Sequence, residues 1–367
     1  MKAQQHRSVL IFGGAGFIGC NLAQHLLERT DATVHVFDNL SRTGVHRNLE
    51  WLRKLASTSR RLRVTMGDVR DARLVERAVA IATEIYHFAA QVAVTTSIAD
   101  PLLDFEVNLG GTFNILDAAR RCGHDPFILF TSTNKVYGDL GLDAPEGGAS
   151  RYSYPGHEGV NESQALDFHS PYGCSKGAAD QYVRDFARIY GLPTVVFRMS
   201  CVAGPRQFGT EDQGWVAHFL YSALEGRPVV LYGDGRQVRD VLCVHDLVQA
   251  FEAARRNLPA TAGEVYNVGG GAPNAVSLLE LIDRIEQLTG HRLQYEREPA
   301  RPGDQLVYIT DFSKLCRHTG WRPETGVGKT LELLQQFWKA NQGMLAQRAP
   351  APGAKGAAWV QLSGRAG

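Results

Sequence analysis

Residues 8–39 read SVLIFGGAGFIGCNLAQHLLERTDATVHVFDN. An apolar run from Ser8 to Phe12 meets a glycine-rich turn. A helical pattern follows through Thr30, and a second apolar run ends at Asp38. The order strand, turn, helix, strand is the opening unit of a parallel sheet. Gly13, Gly16 and Gly19 stand three apart in the turn. Without Cβ atoms, this backbone can approach a pyrophosphate, whose charge the amides at the helix N-terminus then meet. Phe17 and Ile18 lie between the last two glycines. Asp38 closes the second strand nineteen residues after Gly19. A carboxylate there accepts hydrogen bonds from both ribose hydroxyls and repels a 2′-phosphate, so the expected dinucleotide is NAD rather than NADP. Asn39, Ser41 and Arg42 follow it in the same loop.

Outward from this unit the alternation continues: LRVTMGD, helical DARLVERAVA, EIYHFAA, a helix after Pro101, PFILFTST, a helix from Pro171 to Tyr190, and PTVVFRM. Such alternation predicts an α/β fold, a Rossmann-type doubly wound parallel sheet with helices on both faces, over residues 1–200. Ligands of such sheets bind at the carboxyl ends of the strands. That adds Asp68 and Val69 in GDV, facing an adenine, and Phe88, Ala89, Ala90 and Gln91, beside the pyrophosphate. After residue 200 the pattern changes to GPRQFGTEDQGWV, PVVLYGDGRQVRDV and EVYNVGGG. This predicts a smaller α+β substrate-binding domain over 201–340, with segments near 240–270 returning to the first sheet. Residues 341–367, rich in Ala, Gly and Pro, are expected to form a disordered tail.

Composition narrows the partners. The 367 residues carry 39 Lys and Arg against 38 Asp and Glu, a net charge of +1, so no long-range field draws in nucleic acid or an anionic membrane. No apolar run reaches the ~18 residues of a membrane span. The start of the chain lacks the apolar stretch and cleavage site of a signal peptide, so a cytoplasmic protein is expected. The six cysteines are scattered, without CxxC pairs or metal-ligand spacing; no metal is expected.

Tyr172 and Lys176 in SPYGCSKGAADQYV are four apart and share one helix face. Poising a phenol of pKa near ~10 for proton transfer near ~7 requires about 4 kcal/mol. An ammonium one turn away and the positive nicotinamide of NAD are expected to supply it. Tyr172 would take a proton from a substrate hydroxyl as hydride leaves the same carbon, and Lys176 would hold the nicotinamide ribose. The strand before this helix ends in Thr131, Ser132 and Thr133, any of which could bond the reacting oxygen. Arg206, Arg239 and Arg301, on otherwise uncharged or glycine-rich segments, are candidates for a diphosphate.

GGAGFIG, the Asp38 strand, TSTNKVYG, YGCSK and NLGGT together resemble the extended short-chain dehydrogenase/reductase family of nucleotide-sugar epimerases and dehydratases, over residues 7–340. FDNLSRTG, QVAVTTSI, TSTNKVYGD, LDFHSPYGCSKGAADQY and RQFGTEDQGWV are more narrowly similar to its CDP-paratose 2-epimerase (CDP-tyvelose epimerase) branch. The resemblance implies a catalytic set of Thr133, Tyr172 and Lys176, with Asn108 of VNLGGT supporting the active-site helix on the cofactor side. It implies a nucleotide-diphosphate sugar as substrate, with Arg239 and Arg301 on the diphosphate and Tyr232 near the base. Thr95, Thr96, Ser97 and His169 would face the sugar, together with Thr133, Asn134, Arg206 and Gln207. It also implies a homo-oligomer.

The family's dehydratases carry an Asp-Glu pair after the threonine, because eliminating water needs an acid and a base. Here Asn134 and Lys135 stand there. The resemblance therefore implies reversible oxidation and return of hydride to the other face, at carbon 2, with NAD regenerated and retained. A 4-epimerase or another nucleotide-sugar oxidoreductase is the alternative within the fold. A non-catalytic NAD-binding protein would be expected to lack the Tyr or the Lys. Residues 199–209, MSCVAGPRQFG, depart from the branch's HSSMYGGRQF, leaving the sugar and the base open.

Overall fold

The computed structural model describes residues 7–140, 146–156, 158–300 and 305–342. Arg301 and the stretch from 343 onward lie outside the described residues. Strands β1 (Ser8–Phe12), β2 (Thr33–Asp38), β3 (Leu62–Met66), β4 (Glu84–His87), β5 (Phe127–Thr133), β6 (Thr194–Met199) and β7 (Val265–Val268) form one sheet. Their order is β7-β6-β5-β4-β1-β2-β3, and every pairing is parallel.

The apolar runs explain the layering. Successive strand residues point to opposite faces. Val9 and Ile11 of β1 pack with Val34 and Val36 on one side, while Leu10 and Phe12 pack with Ile128 and Phe130 on the other. A strand buried on both faces is continuously apolar, which parallel sheets require because helices cover each side. Helices α1 (Phe17–Arg29) and α2 (Val45–Leu55), with Val244–Arg256, cover the first face. The second is covered by α3 (Ala72–Val79) and two longer pieces. One runs from α4 (Val94–Ala99) through α5 (Pro101–Phe105) and a π-helical turn, Glu106–Gly110, into α6 (Gly111–Arg121). The other is α7 (Ser170–Tyr190), with Pro171 in its first turn and Gly191 (φ 71°) ending it.

The second unit has its own core: Val216, Leu220, Leu231, Val276, Leu281, Ile285, Leu331 and Leu334 are buried together. Of the segments expected to return, Val265–Val268 joins the large sheet beside β6. Val238–Cys243 instead pairs with Cys201–Ala203, Ala275–Ser277 and Val307–Tyr308. This small sheet stands over the carboxyl edge of the large one, and the cleft between them holds the candidate site.

The turn after β1 shows how tightly the glycines are required. A Cβ on Gly19 would lie 2.3 Å from the Gly13 carbonyl oxygen and 2.7 Å from Gly14 Cα. Both are backbone and cannot give way. Gly19→Ala is expected to destabilise the protein by ~1–3 kcal/mol. Gly328→Ala, inside the helix Val327–Ala340 and with its methyl meeting nothing within 4 Å, should hold or raise the thermal midpoint. Melting curves of the two variants measure the contrast.

Candidate active site

The strand order reverses between β1 and β4, and the crevice there opens at the carboxyl ends. One cavity of about 980 Å³ runs from this crevice to the second unit. Gly13, Gly16, Phe17, Ile18 and Gly19 line it, with Asp38, Asn39, Ser41 and Arg42, Asp68 and Val69, and Phe88, Ala89, Ala90 and Gln91. Thr95, Thr96, Thr133, Asn134, Tyr172 and Lys176 continue the wall, and Arg206, Gln207, Tyr232 and Arg239 close it from the second unit. At ~300–1,000 Å³ for a typical ligand pocket, the volume lies at the upper end of the range.

The turn fits a dinucleotide pyrophosphate. Gly13 has φ 76°, and a Cβ there would lie 2.7 Å from Ala89 N, so the two loops touch backbone to backbone. Gly16 caps α1 without a side-chain bond, and the first turn carries no acidic residue, leaving helix amides for an anion. Asp38 accepts from Ala15 N at 3.0 Å and Leu40 N at 2.8 Å. Burial pushes this carboxyl up, against those amides and the charge of Arg42. Asp68 is clamped by Arg70 at 3.0 Å and by Asn39 at 3.1 Å, which holds it at about 2. Arg42 reaches across to Gln213 of the second unit.

At the reacting end, Lys176 Nζ donates to the Thr131 carbonyl at 2.7 Å and lies 4.1 Å from the centre of the Phe130 ring. Thr133 acts on Tyr172 as a polar neighbour that pulls its phenol down against burial, and the Thr133 hydroxyl accepts from Lys135 N at 3.2 Å. Of the three hydroxyl residues that end β5, Thr133 is the one that acts on Tyr172, while Thr131 donates to His87 O at 3.2 Å. Asn134 donates to Gln305 at 3.2 Å, and Gln305 in turn donates to Gly138 O at 2.6 Å.

The expected acidification of the phenol by Lys176 is not produced by the protein's own field. Burial dominates both groups, pushing Tyr172 up to about 12 and Lys176 down to about 7. Both sit in the same water-poor wall, so desolvation of each charged form outweighs Thr133 and Arg42 at the phenol and Asp180 and Asp104 at the amine.

Four expected residues are placed differently from the rest. Ser97 is fully buried and donates back to Val94 O at 2.7 Å, away from the cavity. His169 precedes α7 outside the cavity, with Asp167 at 2.9 Å and Asp139 at 3.6 Å. Asn108 lies behind the cavity wall, where it bonds Gln91, Asp104 and Ser175. Arg206 borders the cavity, but its guanidinium lies 3.5 Å over Trp51 and 5.4 Å from Phe337. Arg239 lines the cavity and donates to the carbonyls of Val238 at 2.7 Å and Gln305 at 2.5 Å. Lys135, Cys201, Glu211, Gln213 and Trp215 also line it and were not singled out from the sequence. Only the motif RQFGTEDQGWV pointed toward the last three.

Residues 10–334 match the protein family described as GDP-mannose 4,6 dehydratase. The chain is 43% identical over 324 residues to CDP-paratose 2-epimerase of Salmonella typhi, covering 86% of this chain and 94% of that one. The chain belongs to the extended short-chain dehydrogenase/reductase family of nucleotide-sugar epimerases and dehydratases. Solved structures of the family superpose over the same extent. UDP-glucose 4-epimerase of Thermus thermophilus, in complex with NAD, gives a TM-score of 0.76 at 34% identity, covering 91% of this chain and 99% of that one. A dTDP-glucose 4,6-dehydratase of Streptomyces venezuelae with NAD bound gives 0.79 at 30% identity, covering 92% and 98%.

Burial of Lys176 has a measurable cost. Its pKa falls from the ordinary 10.5 to about 7. The unfolded chain therefore binds a proton that the native state lacks between these values. The cost is complete below pH 7 and vanishes above the ordinary value, at about 1.4 kcal/mol per pH unit between them. Lys176→Met is expected to unfold at a higher temperature than the parent at pH 7, by up to a few kcal/mol, with the gain shrinking as pH rises. Melting curves across that range test the sign.

Proposed function

We propose that the protein is an NAD-dependent nucleotide-sugar epimerase that inverts carbon 2 of a CDP-sugar, of the type that converts CDP-paratose to CDP-tyvelose. The observation that carries this reading is the convergence of Thr133, Tyr172 and Lys176 on one wall of a cavity shared by the dinucleotide turn and the second unit. The similarity to the Salmonella typhi enzyme supplies the carbon and the base.

Gly13, Gly16 and Gly19 would hold the pyrophosphate of NAD, Asp38 the adenosine ribose, and Tyr172 with Lys176 the nicotinamide ribose. NAD, when bound, supplies the acceptor and then the donor of the carbon 2 hydride, and its positive charge favours the phenolate of Tyr172. Tyr172 Oη takes the proton of the carbon 2 hydroxyl while Thr133 steadies the same oxygen. After the keto sugar has presented its other face, Tyr172 would give the proton back to the same oxygen, with Thr133 again steadying it. No net redox change accumulates.

Loss of water instead would need an acid and base beside the sugar. Asn134 and Lys135 follow Thr133 here, an amide and an amine, and the amide is already engaged by Gln305. Inversion at carbon 4 is the second reading, favoured by the likeness to the Thermus 4-epimerase. Incubation with CDP-, UDP-, GDP- and dTDP-sugars separates the two by the carbon inverted.

The six cysteines are unpaired, and no helix among the described residues is long and apolar enough to cross a membrane. The free thiols support a place in the reducing cytoplasm. A second copy of the chain is the proposed partner. Phe113 of α6 and Tyr182 and Tyr190 of α7 are exposed, yet connected by ring contacts of 4.8 to 6.5 Å through Phe186. Such a connected apolar face marks an association surface. Light scattering should give a homodimer or larger, and Phe113→Glu combined with Tyr182→Glu should give a monomer. A monomeric parent would refute the assembly.

For the chemistry, Tyr172→Phe is expected to lower conversion of CDP-paratose at least ~100-fold while the purified variant keeps its NAD. Product analysis and the cofactor content of the denatured protein provide the two readouts.

A further inference from the structure

The chemistry above uses Thr133, Tyr172 and Lys176, and leaves a carboxylate behind them without a role. Asp104, in α5, has no exposed surface. One carboxylate oxygen accepts from Ser175 Oγ at 2.5 Å, and the other from Gln91 Nε2 at 2.9 Å and Asn108 Nδ2 at 3.1 Å. Among the described residues these bonded partners are all neutral. Burying a carboxylate among neutral donors costs several kcal/mol unless a cation compensates it. Packing alone would be served by an amide.

The partners point to the reacting pair. Ser175 immediately precedes Lys176 on α7. Gln91 belongs to the loop beside the dinucleotide turn, and both its backbone N–H and its carbonyl bond the Asn108 side chain, at 2.9 and 3.0 Å. Asn108 sits in the π-helical turn, a distortion frequent at functional sites. Asp104 thus stands where four segments of the site meet.

Its charge reaches Lys176 and Tyr172. Lys176 is faced by Asp180 of its own helix, whose charge acts on it most, then by Asp104 of α5, by the Thr131 carbonyl and the Phe130 ring of β5, and by His87 of β4. Burial keeps His87 neutral. Asp180 is already matched, because Arg198 grips both its oxygens at 2.8 and 2.9 Å. Tyr172 is faced by Asp104, Arg42 and Thr133. Asp104 is the carboxylate of the set whose charge no bonded cation takes up.

We propose that Asp104 is a positioning residue of the reaction: its carboxylate, gripped by Ser175, Gln91 and Asn108, holds α7 in register with the cofactor loop and is a counter-charge that favours the ammonium of Lys176. The proposal rests on reading Tyr172 and Lys176 as the reacting pair.

The test uses the NAD-bearing protein. The phenolate absorbance of Tyr172 is titrated as the difference between each form and its Tyr172→Phe counterpart, a readout that needs no substrate. The pH profile of turnover on CDP-paratose is measured beside it. Removing a negative charge lowers both pKa values, so Asp104→Asn should move the Tyr172 titration and the alkaline limb of turnover down by about one pH unit. Ser175→Ala keeps the charge and should leave both midpoints in place, whatever its rate. Unmoved midpoints in a folded Asp104→Asn protein would overturn the proposal, including the case where NAD or rate is lost without a shift. If the asparagine variant does not fold, Asp104→Ser, also neutral and smaller, gives the same reading. Undiminished turnover in Tyr172→Phe would instead remove the underlying assignment of the pair.

Discussion

A buried lysine fixes the arrangement of this site. Among the described residues Lys176 is bonded to a backbone carbonyl and lies over an aromatic face, and no carboxylate is within ion-pair distance of it. Burial pulls its pKa down to about 7, and flanking carboxylates pull it back up. A lysine in that balance is costly to stability and tolerable only where its position is useful. The same wall pushes Tyr172 up to about 12. The protein alone therefore holds the pair near the proton-bearing form of the phenol and close to neutrality for the amine. A positive ring against this wall would favour the phenolate.

The fold delivers this pair through two constraints. The strand order brings the ends of β1, β2, β3, β4, β5 and β6 to one edge, and the glycine turn presses against the Phe88–Ala89 backbone too closely for any side chain. The second unit then leans over that edge. Asn21 donates to Pro205 O at 2.9 Å and Asn48 to Arg206 O at 3.2 Å, so α1 and α2 hold the segment that roofs the cavity. Arg42 and Gln213 add a bond across the cleft. The dinucleotide turn and the second unit's wall of the cavity are thereby tied together.

What was legible in the sequence was local. Gly13, Gly16, Gly19 and Asp38 announce themselves because a turn without Cβ atoms and a strand-end acid are set by adjacent residues. The seven-residue run Phe127–Thr133 is apolar enough at its start to be read as a central strand, and all seven residues are buried. Direction was less legible. Consecutive helical residues point ~100° apart, so Thr95 and Thr96 reach the cavity while Ser97 turns to Val94. Arg206 looks like a phosphate ligand until Trp51, 155 positions earlier, takes its guanidinium. Asp104 meets Ser175 across 71 positions, a contact no periodicity announces. Spacing placed Lys176 beside Tyr172 but could not weigh the desolvation that dominates both.

The central claim is that one hydride leaves the sugar and returns to the same carbon within a closed site. CDP-paratose carrying deuterium at carbon 2, turned over in ordinary water, measures this directly. Hydride return leaves the label at carbon 2 of the product with inverted configuration, and the enzyme's NAD oxidised. Loss of the label to solvent would mean that a proton, and not a hydride, is moved, and would contradict the account.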